Sequence, residues 1–155
     1  KRIFVNLSSL EGFAVVDFEK REVVDTIVAP RAPLSKYSLI GVGNSLAHGI
    51  EVPADQSAVW VVSRVSGRVV GWTLPDLEWI GDVDVGVSSW LTSTPDSRYL
   101  YVANTGRDET AVVDLEMLTV VDRIKVGDSP KRMRTFHVPV DVIQMTKLVG
   151  SGGSP

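Results

Sequence analysis

The chain has 155 residues, of which 44% are hydrophobic and 23% charged, and its formal net charge is −3. That length and hydrophobic content suffice for one domain with its own core, while the small charge favours neither nucleic acid nor an acidic membrane surface as a partner. The absence of cysteine excludes disulfides and thiolate metal sites, and no apolar run approaches the roughly 18 residues that a membrane-spanning helix needs.

Three apolar runs occupy the first 29 residues, at 2–6, 13–18 and 22–29, and a few polar residues separate each from the next. β-Branched and aromatic side chains dominate these runs, which predicts three strands. The following segment, 30–47, contains two prolines and two glycines. This composition predicts an inserted loop.

Residues 48–127 predict two groups of four strands. The first group is 49–52, 58–63, 68–74 and 78–85, and the second is 90–94, 100–104, 110–115 and 118–126. In the last run Val120, Ile124 and Val126 share one face, whereas Arg123 and Lys125 share the other, which is the alternation of a strand. The connections within each group are short, so we expect antiparallel pairing.

The two groups are copies of one repeat. Ser63 and Asn104 are 41 residues apart, as are Gly86 and Gly127, and no gap is needed between them. Residues 2–29 form another copy, offset by 97 residues from the last group, and the insertion accounts for the longer spacing. A period of about 40–45 residues with four short strands is typical of a β-propeller blade.

Several short motifs then resemble one propeller family. The letters LYVAN stand at 100–104, VVD at 112–114 and VGDSP at 126–130, while TPDS at 94–97 and HGI at 48–50 are close to two further motifs. These residues resemble the YVTN-type β-propeller repeat family, which includes lactonase-like seven-bladed propellers. Ser97 replaces the glycine of the family's SPDG turn, and Ala47 replaces the proline of its PHGI motif. The resemblance covers about residues 2–134.

The resemblance implies an all-β propeller of four-stranded antiparallel blades, of which about three are present. With strands lettered A to D from the channel outward, residues 2–29 supply B to D of blade 1, 48–86 form blade 2 and 87–127 form blade 3. Residues 130–136 are expected to be strand A of a next or closing blade, 137–149 an extra strand and 150–155 a flexible tail. Three blades cannot close a ring, because propellers typically use four to eight. We expect a fragment of a longer propeller or a dimer of half-propellers.

Candidate binding residues follow from this topology. In an up-and-down blade, the B-to-C loops and the connections to the next strand A lie on one face of the ring, and loops on a rigid scaffold commonly bind ligands. The alternative is that the polar residues there are solvated turn residues. The candidates at this loop face and at the mouth of the channel are His48, Arg64, Ser89, Trp90, Arg107 and Lys131.

Metal, cofactor and catalytic sites are not expected. His48 and His137 are the chain's two histidines, whereas metal sites usually take three or four ligands. Aspartates recur at equivalent turns in the repeat, at 17, 55, 96 and 114, which indicates turn capping and not an asymmetric acid–base pair. The four tryptophans, at 60, 72, 79 and 90, are expected to pack between blades.

The function that these features favour is a non-enzymatic binding or scaffolding module with a protein partner or a small ligand. The alternative is part of a propeller enzyme, a lactonase, a lyase or a quinone or haem redox protein, with its site mainly in other blades. The family resemblance also implies a periplasmic or extracellular location. We expect no nucleic-acid partner and no membrane insertion.

Overall fold

The structure is a computed structural model that describes residues 1–30, 45–136 and 138–139. These residues contain eleven strands and no helix, and therefore no helix that could cross a membrane. The predicted extra strand at 137–149, the tail and most of the insertion lie outside the described residues, except that 138 and 139 are described and form no strand.

Three antiparallel sheets make up the described chain, and we refer to them as blades 1 to 3. Each is a meander in which consecutive strands pair. Blade 1 contains β1 (Arg2–Asn6), β2 (Gly12–Asp17) and β3 (Glu22–Val28). Blade 2 contains β4 (Ala47–Glu51), β5 (Ala58–Ser63), β6 (Arg68–Thr73) and β7 (Trp79–Asp84), and blade 3 contains β8 (Trp90–Ser93), β9 (Tyr99–Asn104), β10 (Glu109–Asp114) and β11 (Thr119–Lys125). The predicted fold class and strand order are confirmed.

The predicted strand A at 130–136 stays a prediction, because the described residues contain no strand that could pair with it. Residues 131–136 form no strand, although the segment lies where strand A of a following blade would lie. The Thr135 amide donates to Thr92 Oγ1 at 3.0 Å, just as the Ser93 amide donates to Glu51 Oε1 at 3.1 Å one blade earlier. A strand needs a neighbouring ladder, and the described residues supply no strand B beside this segment.

Turn residues recur in the repeat, as the sequence predicted. Asp17 Oδ1 accepts from the amides of residues 19 and 20, and Asp114 Oδ1 accepts from those of residues 116 and 117, all at 2.9 Å. Asp55 and Asp96 each accept from the amide two residues on. Their role as turn caps is confirmed. Ser97, which replaces the motif's glycine, has a φ of 60° and so adopts the conformation for which glycine is usually chosen.

Two hydrophobic clusters hold the three blades together. One lies between blades 1 and 2 and contains Phe13, Val61 and Trp72; the other lies between blades 2 and 3 and contains Trp60, Val85 and Leu91. Trp60 and Trp72 are buried in these clusters, which confirms the prediction for these two residues, whereas Trp79 is 39% exposed. The core is therefore formed at the faces where blades meet.

An aromatic residue occupies the same place on strand B of each blade. It is Phe4 opposite Val15 in blade 1, Trp60 opposite Gly71 in blade 2 and Tyr101 opposite Val112 in blade 3. A Cβ added at Gly71 would lie 2.4 Å from the Trp60 ring. The largest ring thus faces the smallest partner, and the glycine leaves the space that the indole fills.

Candidate functional site

The loops of adjacent blades meet at one face of the molecule, which we call the loop face. The Leu46 amide donates to the Ser8 carbonyl and the Arg64 amide to the Leu46 carbonyl, both at 2.9 Å. In the next blade, the hydroxyls of Ser89 and Thr105 are 2.7 Å apart. These contacts bring the B-to-C loops together with the starts of the inner strands.

Aromatic and cationic side chains group at the starts of the inner strands. The rings of His48 and Trp90 pack edge to face with their centroids 5.7 Å apart, although the two residues belong to successive blades. The guanidinium of Arg132 lies over the Trp90 ring at 5.4 Å, a cation–π contact. Arg64 and Lys131 lie close enough to act on His48 electrostatically. We name these five residues the His48 cluster.

Burial and positive charge hold the His48 imidazole in its neutral form. Burial lowers the pKa of His48 most, and the charges of Arg64, Arg132 and Lys131 lower it further. A hydrogen bond with the Ser89 backbone acts in the opposite direction but does not outweigh them. The charges acting most strongly on this imidazole are therefore all cationic.

Among the buried polar atoms at this place, His48 Nδ1 and Asn6 Oδ1 lack a hydrogen-bond partner within residues 1–30, 45–136 and 138–139. The Asn6 side chain is held by its amide nitrogen, which donates to the His48 carbonyl oxygen at 2.6 Å. Buried polar atoms without partners are rare and are often satisfied by a bound molecule. The arrangement can therefore offer an imidazole nitrogen and a carboxamide oxygen to a ligand.

Five of the six predicted site residues lie at this place. His48 and Trp90 are in contact, Ser89 bonds to His48 through its backbone, and Arg64 and Lys131 lie in electrostatic range. The Arg107 side chain lies next to Gly86, and the Arg107 carbonyl accepts from Lys125 Nζ at 2.9 Å. The sequence analysis did not predict Arg132 as a site residue, although it stands beside Lys131 in a short basic run.

The buried carboxylates of blade 3 have structural partners. Glu109 pairs with Arg123 at 2.6 Å, and burial tends to raise the pKa of Glu109, but the hydrogen bond and charge of Arg123 outweigh it and lower that pKa. Asp114 accepts from Arg98 Nη2 at 2.6 Å as well as capping its turn. In the described part of the chain, no three His, Cys, Asp or Glu side chains converge as metal ligands would.

Comparison with known proteins supports the fold. No protein-family model matches the chain, and no curated protein matches its sequence. The chain is similar to the solved structure of Kuenenia stuttgartiensis hydrazine synthase, with a TM-score of 0.68 and 19% identity over 83% of this chain and 34% of that one. It is also similar to the dihydro-heme d1 dehydrogenase NirN in complex with DHE, with a TM-score of 0.63 and 20% identity over 87% of this chain and 27% of that one.

Both of these proteins are β-propellers, so the three blades described here have a propeller fold. The chain spans about a third of the length of one and about a quarter of the length of the other. At such low identity, the similarity extends to the fold and not to the activities for which the two proteins are named.

Proposed function

We propose that the chain is a non-enzymatic β-propeller binding module whose loop face holds an anionic group at the His48 cluster. The group is a carboxylate or phosphate, carried by a small ligand or by a protein partner. The single observation that carries this proposal is the convergence of His48, Trp90 and Arg132 on one spot, with further positive charge from Arg64 and Lys131.

The chemistry of these side chains suits an anion. A guanidinium presents parallel N–H donors that match the oxygens of a carboxylate or phosphate, and stacking on an aromatic ring restricts its orientation. Arg132 is held over Trp90 in this way. An anion bound beside His48 would offset the surrounding positive charge, and it would accept a hydrogen bond from Nδ1 once that nitrogen is protonated. Binding is therefore coupled to protonation of His48.

The loop face suits a binding role because its framework is rigid. Strands β4 and β8 carry His48 and Trp90 at their starts, and the cluster between blades 2 and 3 fixes the distance between these strands. A preformed site avoids part of the entropy cost of ordering side chains on binding. The motifs at 94–104 and 126–130 support two further proposals. We also propose that the chain is a YVTN-type repeat protein and that it acts in the periplasm or outside the cell.

The test titrates the chain with citrate and, separately, with inorganic phosphate. Isothermal titration calorimetry measures the binding of each probe, and NMR of the imidazole resonances measures the pKa of His48. We expect one saturable site on the chain, and a rise in the pKa of His48 when the probe binds. Arg132→Gln and His48→Gln should each weaken binding about tenfold or more, since a charge-assisted hydrogen bond contributes roughly 1.5–3 kcal/mol.

A matched control is Lys20→Gln, which removes one positive charge from the turn between β2 and β3, at the opposite end of the blade. It should leave the affinity within about twofold once the salt concentration is fixed. Equal losses in Lys20→Gln and Arg132→Gln would show attraction to overall charge and would refute a site at His48. An imidazole resonance that does not respond to either probe would also refute it.

A further inference from the structure

Asn6 is a polar side chain at a place where the other two blades have an apolar one. By strand register, its equivalents are Val62 on β5 and Ala103 on β9. Both of these residues are buried hydrophobic residues. An apolar side chain thus meets the packing requirement at this place in blades 2 and 3, and the carboxamide is particular to blade 1.

The nitrogen of the Asn6 carboxamide has a structural partner. It donates to the His48 carbonyl oxygen at 2.6 Å, from blade 1 to the inner strand of blade 2. The register of β4 on β5 shifts between Ala47 and Ile50, so His48 has no paired residue on β5. The bond from Asn6 also fixes the orientation of the carboxamide, because the opposite orientation would set two oxygen acceptors against each other.

The oxygen of the same carboxamide is left for another group. Asn6 Oδ1 is buried, and no atom of the residues that the structure describes donates to it. A carboxamide oxygen accepts hydrogen bonds and never donates them, so its partner must supply an N–H or an O–H. A ligand that supplies this donor gains affinity, and a ligand that covers the oxygen without a donor loses it.

The surrounding charge favours a neutral donor. Arg64, Arg132 and Lys131 all lie close enough to His48 to act on it electrostatically. An ammonium group on the ligand would add a positive charge to this set and would be repelled, whereas a hydroxyl group adds none. The donor that suits Asn6 Oδ1 is therefore a hydroxyl group.

We infer that the anion bound at the His48 cluster carries a hydroxyl group close to its charge, and that Asn6 Oδ1 accepts a hydrogen bond from this hydroxyl. The inference rests on the proposed function, since the cluster must first hold the anion. Arg132 and protonated His48 bind the anionic group, while Asn6 selects for the hydroxyl. The ligand class is a small hydroxy acid or a sugar phosphate.

The test compares probes that differ in their hydroxyl groups. Malate is paired with succinate, and glycerol phosphate with propyl phosphate, and calorimetry measures each affinity at fixed pH and salt concentration. In at least one pair, the hydroxylated member should bind about fivefold or more tightly. Aspartate, in which an ammonium replaces the hydroxyl of malate, should bind more weakly than malate. Equal affinities within both pairs would overturn the inference, and aspartate binding as tightly as malate would overturn the choice of a hydroxyl donor.

A variant assigns the preference to Asn6. Asn6→Val places in blade 1 the residue that blade 2 has at the equivalent position, and circular dichroism checks that the blades fold. The affinity ratio within the responding pair should fall to within about twofold of unity. A purely structural role of Asn6 would instead weaken both members of the pair equally, and an unchanged ratio would overturn the inference. The matched control is Gln56→Ala, which removes an exposed carboxamide from the turn between β4 and β5 and should leave the ratio unchanged.

The same titrations separate this inference from the proposed function. Equal binding of malate and succinate, with a response of the His48 imidazole resonance to both, would leave the anion site in place and overturn only the role of Asn6. Failure of all five probes to bind, or binding without a response of that resonance, would overturn both.

Discussion

Substitution of Gly71 by alanine tests how tightly blade 2 is packed. The added Cβ would lie 2.4 Å from Cζ3, 2.5 Å from Cε3 and 2.6 Å from Cη2 of Trp60, about 1 Å closer than carbon atoms pack at their optimum. Trp60 is fully enclosed between blades 2 and 3, so its ring cannot move into solvent. Overpacking of a core commonly costs about 1–3 kcal/mol, and the gain from replacing a strand glycine offsets about 0.5–1 kcal/mol.

We therefore expect Gly71→Ala to lower the free energy of unfolding by about 1–2 kcal/mol, with a fall in Tm of about 3–6 °C. The assay is urea unfolding followed by circular dichroism at one protein concentration, since association would otherwise shift the midpoint. The double variant with Trp60→Phe is the sharper measurement. Blade 1 already pairs Phe4 with Val15 at this place, so a smaller ring should accept a larger partner.

The two substitutions should be coupled. The loss in Gly71→Ala/Trp60→Phe should be smaller than the sum of the two single losses by about 1 kcal/mol. Gly106→Ala is the control, because its added Cβ would meet Val87 at an ordinary 3.4 Å, and the expected change lies within about 0.5 kcal/mol. Additive losses in the double variant, or a neutral Gly71→Ala, would refute the argument that the glycine exists to admit the indole.

Two further predictions concern pH and turn geometry. The pKa of His48 is lowered by burial first and then by Arg64, Arg132 and Lys131, so the unfolded chain binds more protons than the folded chain between the folded-state pKa and about 6.5. The contribution of His48 to the free energy of unfolding should be fully present above about pH 6.5 and should be lost as the pH falls through the folded-state pKa. In urea titrations at several pH values, His48→Gln should remove this pH dependence. Gln56→Gly should raise the free energy of unfolding by about 0.5–1 kcal/mol, because exposed Gln56 has a φ of 55°, and a loss would contradict the strain argument.

The strands were predictable because alternation and turn chemistry are local. The capping aspartates end strand C at Asp17 and Asp114, where the backbone must reverse within four residues. The strand ends differed from prediction by one or two residues. In the last strand Leu118 has a φ of 50° and completes the turn, so β11 begins only at Thr119.

Part of the site was predictable for the same reason. His48, Ser89 and Lys131 are spaced by nearly one repeat length. This spacing alone places their backbones at the starts of successive inner strands, independently of the side-chain contacts. The contact of Arg132 with Trp90 was not predictable, because the 131–136 segment has no ladder and alternation does not fix which side chain turns toward the ring. The position of Arg107 depends on the path of its loop beside Gly86.

The sequence by itself determined that this protein is built from a repeated four-stranded blade, because a period of 41 residues, strand alternation and capped turns are all encoded in neighbouring residues. Only the tertiary structure decided which side chains meet across strands and between blades. Trp60 over Gly71 is a pairing between two strands, and His48 against Trp90 joins residues 42 positions apart in different blades. The pairing of strands and the packing of one blade on the next set these distances.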